Sequence, residues 1–180
     1  MSAVRPGAAP PVGGAFALID HDGRPVTNET FHGTYALVFF GFTHCRVVCP
    51  RALGRLSSVL ELLGPEAARV QPLYITVDPD RDSPAVMKAY LENRPGFLGL
   101  TGSHEQIEAA KAAFRVFARR REDPEDPDGY AVPHTAITYV INPEGVCIDH
   151  FTDALGAQEV AERLRALIAG GPSAPGSRKG

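Results

Sequence analysis

Two cysteines and one histidine carry the chemistry open to this chain of 180 residues. Cys45 and Cys49 lie in the stretch Gly41-Phe42-Thr43-His44-Cys45-Arg46-Val47-Val48-Cys49-Pro50. Their spacing lets the sulfurs approach each other if Cys45 sits in a loop and Cys49 opens a helix, where they can clamp one soft metal ion or close a disulfide. The bland alternative is two buried small side chains that are neighbours by chance. The flanking residues argue against it. An apolar run from Tyr35 to Phe40 precedes the pair and reads as a strand buried on both faces. After the pair, apolar positions from Ala52 to Leu63 recur at three and four and read as an amphipathic helix, with Pro50 suited to its first turn. The thiols therefore fall where a strand hands over to a helix, whose N-terminal charge and unpaired N–H groups favour a thiolate.

Of the six histidines, His21 falls in a turn, His32 in a polar connection, His104 in a helical first turn and His150 near a strand end, all ordinary surface positions. His134 differs. Pro133-His134-Thr135 stands directly after an acidic stretch and immediately before the apolar strand Ala136 to Ile141. Two thiolates with one imidazole form a soft donor set that suits copper in either oxidation state. Zinc is the competing ion and would want a fourth ligand, for which His44 or water is available. A capping or packing role is the alternative for His134. The third cysteine, Cys147, lies between Val146 and Ile148 and reads as a small side chain in a strand; a resolving thiol is its sharper reading.

These residues need a frame, and the chain supplies one. Phe16 to Ile19 and Pro25 to Thr27 flank Asp20-His21-Asp22-Gly23 as an N-terminal hairpin. Val70 to Val77 is a second core strand, closed by the turn Asp78-Pro79-Asp80-Arg81-Asp82. Ser83-Pro84 opens a helix to about Asn93; Phe97 to Leu100 is short and apolar; Ser103 with Gln106 makes a capping box for a helix running through Ile107, Ala110, Phe114 and Phe117. Residues 119–129 turn abruptly to three arginines followed by acidic residues and prolines, which reads as a solvated loop, with a docking loop as the alternative. Ala136 to Ile141 and Val146 to Phe151 make a second hairpin about Asn142-Pro143-Glu144-Gly145, and Gln158 to Ile168 a last amphipathic helix. The expected organisation is a flexible segment over 1–13, one domain over 14–169 and a disordered tail over 170–180.

A hydrophobic content of 44% suits one globular domain, and a net charge of -3 argues against a nucleic-acid partner. No stretch is long and apolar enough for a membrane span, and the first residues have no signal-peptide core. Strands and helices alternate between hairpins, which predicts an α/β fold with a mixed central sheet flanked by helices. A reactive thiol pair between the first core strand and its helix points to a thioredoxin-like, peroxiredoxin-related architecture. In such a sheet the segment entering the strand at Ala136 lies beside the thiol turn, where an imidazole from His134 can complete a trigonal site.

GFTHCRVVCP, YITVDPDRDSP, FLGLTGSHEQI and PHTAITYVINPEG, in that order, resemble the Sco/SenC family of copper-binding thioredoxin-like proteins, over about Gly14 to Ala169. The resemblance implies copper, Cu(I) or Cu(II), on Cys45, Cys49 and His134, and a role in assembling cytochrome c oxidase at its CuA site. It implies as partners the oxidase subunit carrying CuA, other copper chaperones or thioredoxin-like reductants, and a periplasmic or membrane-facing location. Asp78 matches an acidic family position and is a candidate for partner contact; its plain reading is a turn aspartate. Two departures stand out: many members carry Pro-Asp where this chain has Arg46-Val47, and members are usually tethered by an N-terminal span. The leading expectation is a copper metallochaperone. The alternative is a thiol-disulfide oxidoreductase using Cys45 and Cys49 as its redox pair. A peroxiredoxin-type peroxidase, with Thr43 and Arg46 polarising the peroxide, is a third reading.

Overall fold

The fold comes from a computed structural model, which describes residues 12–45, 48–126, 128–132, 136–152 and 154–170. Of the terminal segments expected over 1–13 and 170–180, residues 1–11 and 171–180 lie outside the described residues.

The sequence Tyr35-Ala-Leu-Val-Phe-Phe-Gly41 forms β3, and its alternation decides the layering. Tyr35, Leu37 and Phe39 point into one core and Ala36, Val38 and Phe40 into the other, so every residue of this strand is buried. A strand with two buried faces must be central. In the seven-stranded sheet it lies between β4 (Val70–Thr76), parallel to it, and β8 (Ile137–Ile141), antiparallel to it. The hairpin of β1 (Ala17–Asp20) and β2 (Pro25–Thr27) joins through β5 (Leu98–Thr101) on one side, and β9 (Cys147–Thr152) closes the other. The order is β2-β1-β5-β4-β3-β8-β9. This is a mixed α/β sheet of the thioredoxin-like kind, with the expected hairpin at its N-terminal end.

Helix α1 (Val48–Leu63) packs Ala52, Leu53, Leu56 and Val59 on the first face, together with Met87 of α2 (Pro84–Tyr90) and Val160, Leu164 and Ile168 of α4 (Ala157–Ala169). Helix α3 (His104–Phe114) covers the second face with Ile107, Ala110 and Phe114. Ser83 and Ser103 cap α2 and α3, the latter in a full capping box with Gln106. No helix among the described residues is long and apolar enough to cross a membrane.

Two helix ends and one loop differ from expectation. Helix α2 stops at Tyr90 rather than near Asn93. Helix α3 stops at Phe114 because Arg115 takes the left-handed conformation at φ 56°, so Phe117 leaves the helix and stands 83% exposed. The stretch over 119–129 is not simply solvated: Arg121–Glu122 (β6) pairs antiparallel with Tyr130–Ala131 (β7), and Asp126 is buried. That ribbon is a separate two-stranded sheet.

Candidate metal and thiol site

The chain leaves β3 at Gly41 and enters α1 at Val48, and between them the backbone turns with Cys45 N–H donating to Phe42 C=O at 3.1 Å. The two cysteines are brought together as their spacing predicts. Cys49 N–H, in the first turn of α1, donates to Cys45 Sγ at 3.3 Å. The helix end therefore favours charge on Cys45, not on both sulfurs. Cys45 is half-buried, whereas Cys49 is fully buried in the core under α1. The Cys49 thiol is pushed up, far from a thiolate at neutral pH, by its hydrogen bond to Cys45 and by burial. Expectation gave both thiols the benefit of the helix end; the structure gives the helix N–H to Cys45 and buries Cys49.

Gly41 makes room for this pair. A methyl group at its Cα would sit 2.6 Å from the Tyr74 ring and hydroxyl and 2.8 Å from Cys49 Sγ. Tyr74 is stacked between Phe39 and Tyr90, at 6.0 Å and 5.8 Å, and its phenol is held well above the usual range by burial and by the neighbouring Cys49. Burial likewise raises Tyr90 to about 12. These aromatic walls exclude water from the Cys49 side, a setting that suits soft sulfur donors.

The other wall is polar. Asp82, fully buried, accepts from Thr43 N–H at 3.0 Å, from Thr43 Oγ1 and from Thr76 Oγ1 at 2.7 Å. One carboxylate thus ties the sulfur loop to the end of β4. Burial pushes its pKa up, and the three hydrogen bonds only partly offset this. Thr43 Oγ1 also lies 3.3 Å from His44 Nδ1, and His44 Nε2 is 3.6 Å from Asp128. Thr43 is thereby committed to Asp82, not to polarising a peroxide.

Asp78 is a correction. It is 2% exposed and not a surface for a partner: it pairs with Arg81 Nε at 2.5 Å and accepts from Tyr130 Oη at 3.1 Å. Cys147 is half-buried on β9 opposite Ile141, which in turn lies opposite Ala36. That register puts it at the far end of β3 from Gly41, roughly 16 Å away at about 3.3 Å per residue. It does not serve as a resolving thiol for Cys45 or Cys49 in this arrangement.

His134 lies outside the described residues, as do Pro133, Thr135 and Arg46. Thr138 of β8 lies opposite Phe39, so β8 starts at the end of the sheet from which the sulfur loop leaves. On the other side of His134, Val132 is buried and shares a groove of about 120 Å³ with Val77, Asp78 and Arg120. Val77 N–H donates to Gly41 C=O at 2.8 Å, which sets that groove beside the root of the sulfur loop. No cluster of three metal-ligating side chains occurs among the described residues.

A sequence model of the SCO1/SenC family matches residues 4–169. The chain belongs to the SCO1/SenC family. It is 42% identical to the mitochondrial SCO2 homolog of Danio rerio over 156 residues, which cover 84% of this chain and 55% of that protein. The chain thus spans little more than half the length of that relative. Among solved structures, ScoI of Arabidopsis thaliana with copper bound superposes with a TM-score of 0.83 at 29% identity, covering 88% of this chain and 99% of that one. ScoI of Bradyrhizobium japonicum with copper bound gives 0.79 at 37% identity, covering 86% and 98%. The thioredoxin-like fold follows from these superpositions.

Sequence reasoning missed Asp82, Arg81, Thr76, Tyr130 and Tyr74. The first two lay inside the turn Asp78 to Asp82, whose polar composition reads as solvent-facing. The available signal was charge density: three aspartates about one arginine directly after a buried strand.

Proposed function

We propose that this Sco-family chain carries one copper ion on Cys45, Cys49 and His134 and delivers it during assembly of the CuA site of cytochrome c oxidase. The observation that carries the reading is the sulfur pair itself, set between β3 and α1 with Cys49 N–H on Cys45 Sγ, in a chain of this family. The donor set fits the ion: two sulfurs against an aromatic wall are soft ligands with little competing water. Copper-bound relatives of the same fold support it. Cys45 reaches solvent, so an incoming partner thiol meets it first, and Cys49 must release its proton for the ion to be held. The oxidase subunit carrying CuA is the proposed recipient, and a periplasmic or membrane-facing compartment the proposed setting.

Anaerobic titration of the reduced chain with copper, followed by ultraviolet-visible spectra, tests this. One ion per chain with a thiolate-to-Cu(II) charge-transfer band is expected, and His134→Ala weakens Cu(II) binding while leaving thiol exchange intact. Unchanged Cu(II) affinity in that variant removes His134 from the site.

The unequal sulfurs favour a second reading, a thiol-disulfide oxidoreductase. The Cys45 thiolate attacks a partner disulfide and expels one partner thiolate; Cys49 then gives up its proton and attacks the Cys45 sulfur of the mixed disulfide, expelling the second. Two electrons pass to the partner and a Cys45–Cys49 disulfide remains. Reduction of a CuA-domain disulfide by the metal-free chain, lost in Cys45→Ser, is its signature.

A further inference from the structure

The ribbon β6–β7 has two residues in each strand and no partner strand in the main sheet, so pairing alone gives it marginal stability. Yet it leads straight to the third proposed ligand: Tyr130, Ala131 and Val132 precede Pro133 and His134. One side chain joins it to the turn after β4 at several points. Arg81, whose side chain is 8% exposed, directs Nε to Asp78 at 2.5 Å and Nη1 to Asp126 at 2.7 Å and Asp128 at 3.4 Å. Its guanidinium lies 3.8 Å from the centre of the Tyr130 ring, whose hydroxyl donates to Asp78 on the near side. Arg120 stacks on the same ring at 4.0 Å while paired with Asp80. Asp126 in turn accepts from Asp128 N–H at 2.8 Å, so the carboxylate that Arg81 grips also closes the loop on itself. The turn after β4 and the loop before β8 are thereby pinned across one planar cation that bridges their carboxylates.

We infer that Arg81 is a positioning residue for the copper site: it anchors the segment over 120–132 and so sets where His134 meets the sulfurs. This rests on the reading of His134 as a ligand. Arg81 touches neither sulfur and acts only through the loop. Without it, Asp78 and Asp126 are left as buried carboxylates with no cation between them, and the cheapest relief is for the ribbon to lift into water. Outer-shell groups that orient a ligand are worth about 10- to 100-fold in metal affinity.

The test uses the whole chain with Arg81→Leu, His134→Ala and the double variant. In metal-free protein, amide hydrogen exchange over 122–132 rises at least tenfold in Arg81→Leu while amides of β3 and α1 keep their protection. Cu(II) affinity falls about tenfold or more in Arg81→Leu, but by less than about threefold when Arg81→Leu is added to His134→Ala, since both act through one imidazole. Unchanged exchange over 122–132, or an equal loss of affinity in both backgrounds, overturns the inference. Should His134→Ala leave Cu(II) affinity unaltered, the ligand reading fails, and the exchange measurement still decides whether Arg81 anchors the loop. Asp126→Asn and Tyr130→Phe, which weaken the same grip from the loop side, supply the comparison if Arg81→Leu does not fold.

Discussion

The two halves of the proposed site are held in place by different physics. The sulfur half grows out of β3, buried on both faces, and α1, whose apolar stripe lies in the same core. The approach to the imidazole half, over 120–132, is a short ribbon gripped by aspartates, arginines and one tyrosine ring. Close packing tolerates little displacement, because contacts are lost within fractions of an ångström. A charged grip is strong only while its partners are desolvated and ionised. The β3–α1 junction is therefore the rigid part of the proposed site, and the ribbon over 120–132 the part that can adjust.

The largest effect is expected where the sulfur half has no slack. Gly41→Ala forces a methyl into the Tyr74 ring and Cys49 Sγ, both within 3 Å, with rigid core behind them. Overpacking of this kind costs about 2–3 kcal/mol. A lowered urea midpoint with unchanged slope, together with impaired copper binding, is the expected result. A variant as stable as the parent would show that the sulfur half is not close-packed.

Asp82 is the next point of attack, because it joins the sulfur loop to β4 by polar contacts inside the core. Asp82→Ala strands a backbone N–H and two hydroxyls, at about 2 kcal/mol net, since each unsatisfied buried group costs roughly 1–3 kcal/mol and part of that is relieved by local relaxation. Asp82→Asn keeps an acceptor toward Thr43 N–H and Thr76, and burial already disfavours the charge, so it loses only about 1 kcal/mol. Equal losses in the two variants, measured by urea unfolding, would mean that the negative charge rather than the acceptor matters.

The same division governs how much was legible in the sequence. Wherever burial set the structure, pattern sufficed: the unbroken apolar run gave β3, periodicity gave α1 and α4, and Ser83 and Ser103 marked their helices. The thiol pair was legible for the same reason, being placed by those two elements. What pattern could not show is pairing across distance. Nothing local tells that Arg81 meets Asp126, 45 positions away, or that Thr43 meets Asp82, 39 positions away. The loop over 119–129 looked solvated because its charges were counted without their partners. The end of α3 was missed because Phe117 continues the apolar spacing, while Arg115 breaks the helix in a conformation usually left to glycine.

Arg115 offers a smaller way to sharpen the contrast. It is the one described non-glycine residue at positive φ, just upstream of the ribbon, and its N–H and that of Val116 close α3 onto Ala112 and Lys111 C=O. Arg115→Gly relieves the left-handed penalty but gives up backbone entropy and the arginine's own side-chain interaction, so urea unfolding is expected to change by no more than about 1 kcal/mol. Copper affinity should not change, because neither the sulfur loop nor the Arg81 contacts are touched.

Acid separates the two halves by sign. Asp126 is pushed up by burial, but the Asp128 N–H and Arg81 outweigh this and hold its pKa below the ordinary carboxylate value of 3.8. A folded pKa below the unfolded one contributes stability that is present above 3.8 and lost as pH falls through the folded value. Asp82 has the opposite shift, raised by burial, so its contribution is fully present at low pH and is lost as pH rises through its folded pKa. Lowering pH from neutrality should therefore loosen the ribbon first, while the tie between Thr43, Thr76 and the buried carboxyl persists. In metal-free protein followed by NMR below about pH 4, the Tyr130 ring signals are expected to move toward those of a mobile tyrosine before the amides of Thr43 and Thr76 change. Simultaneous loss of both sets would place the two halves in one cooperative unit and remove the distinction between a packed donor pair and a charged, adjustable arm.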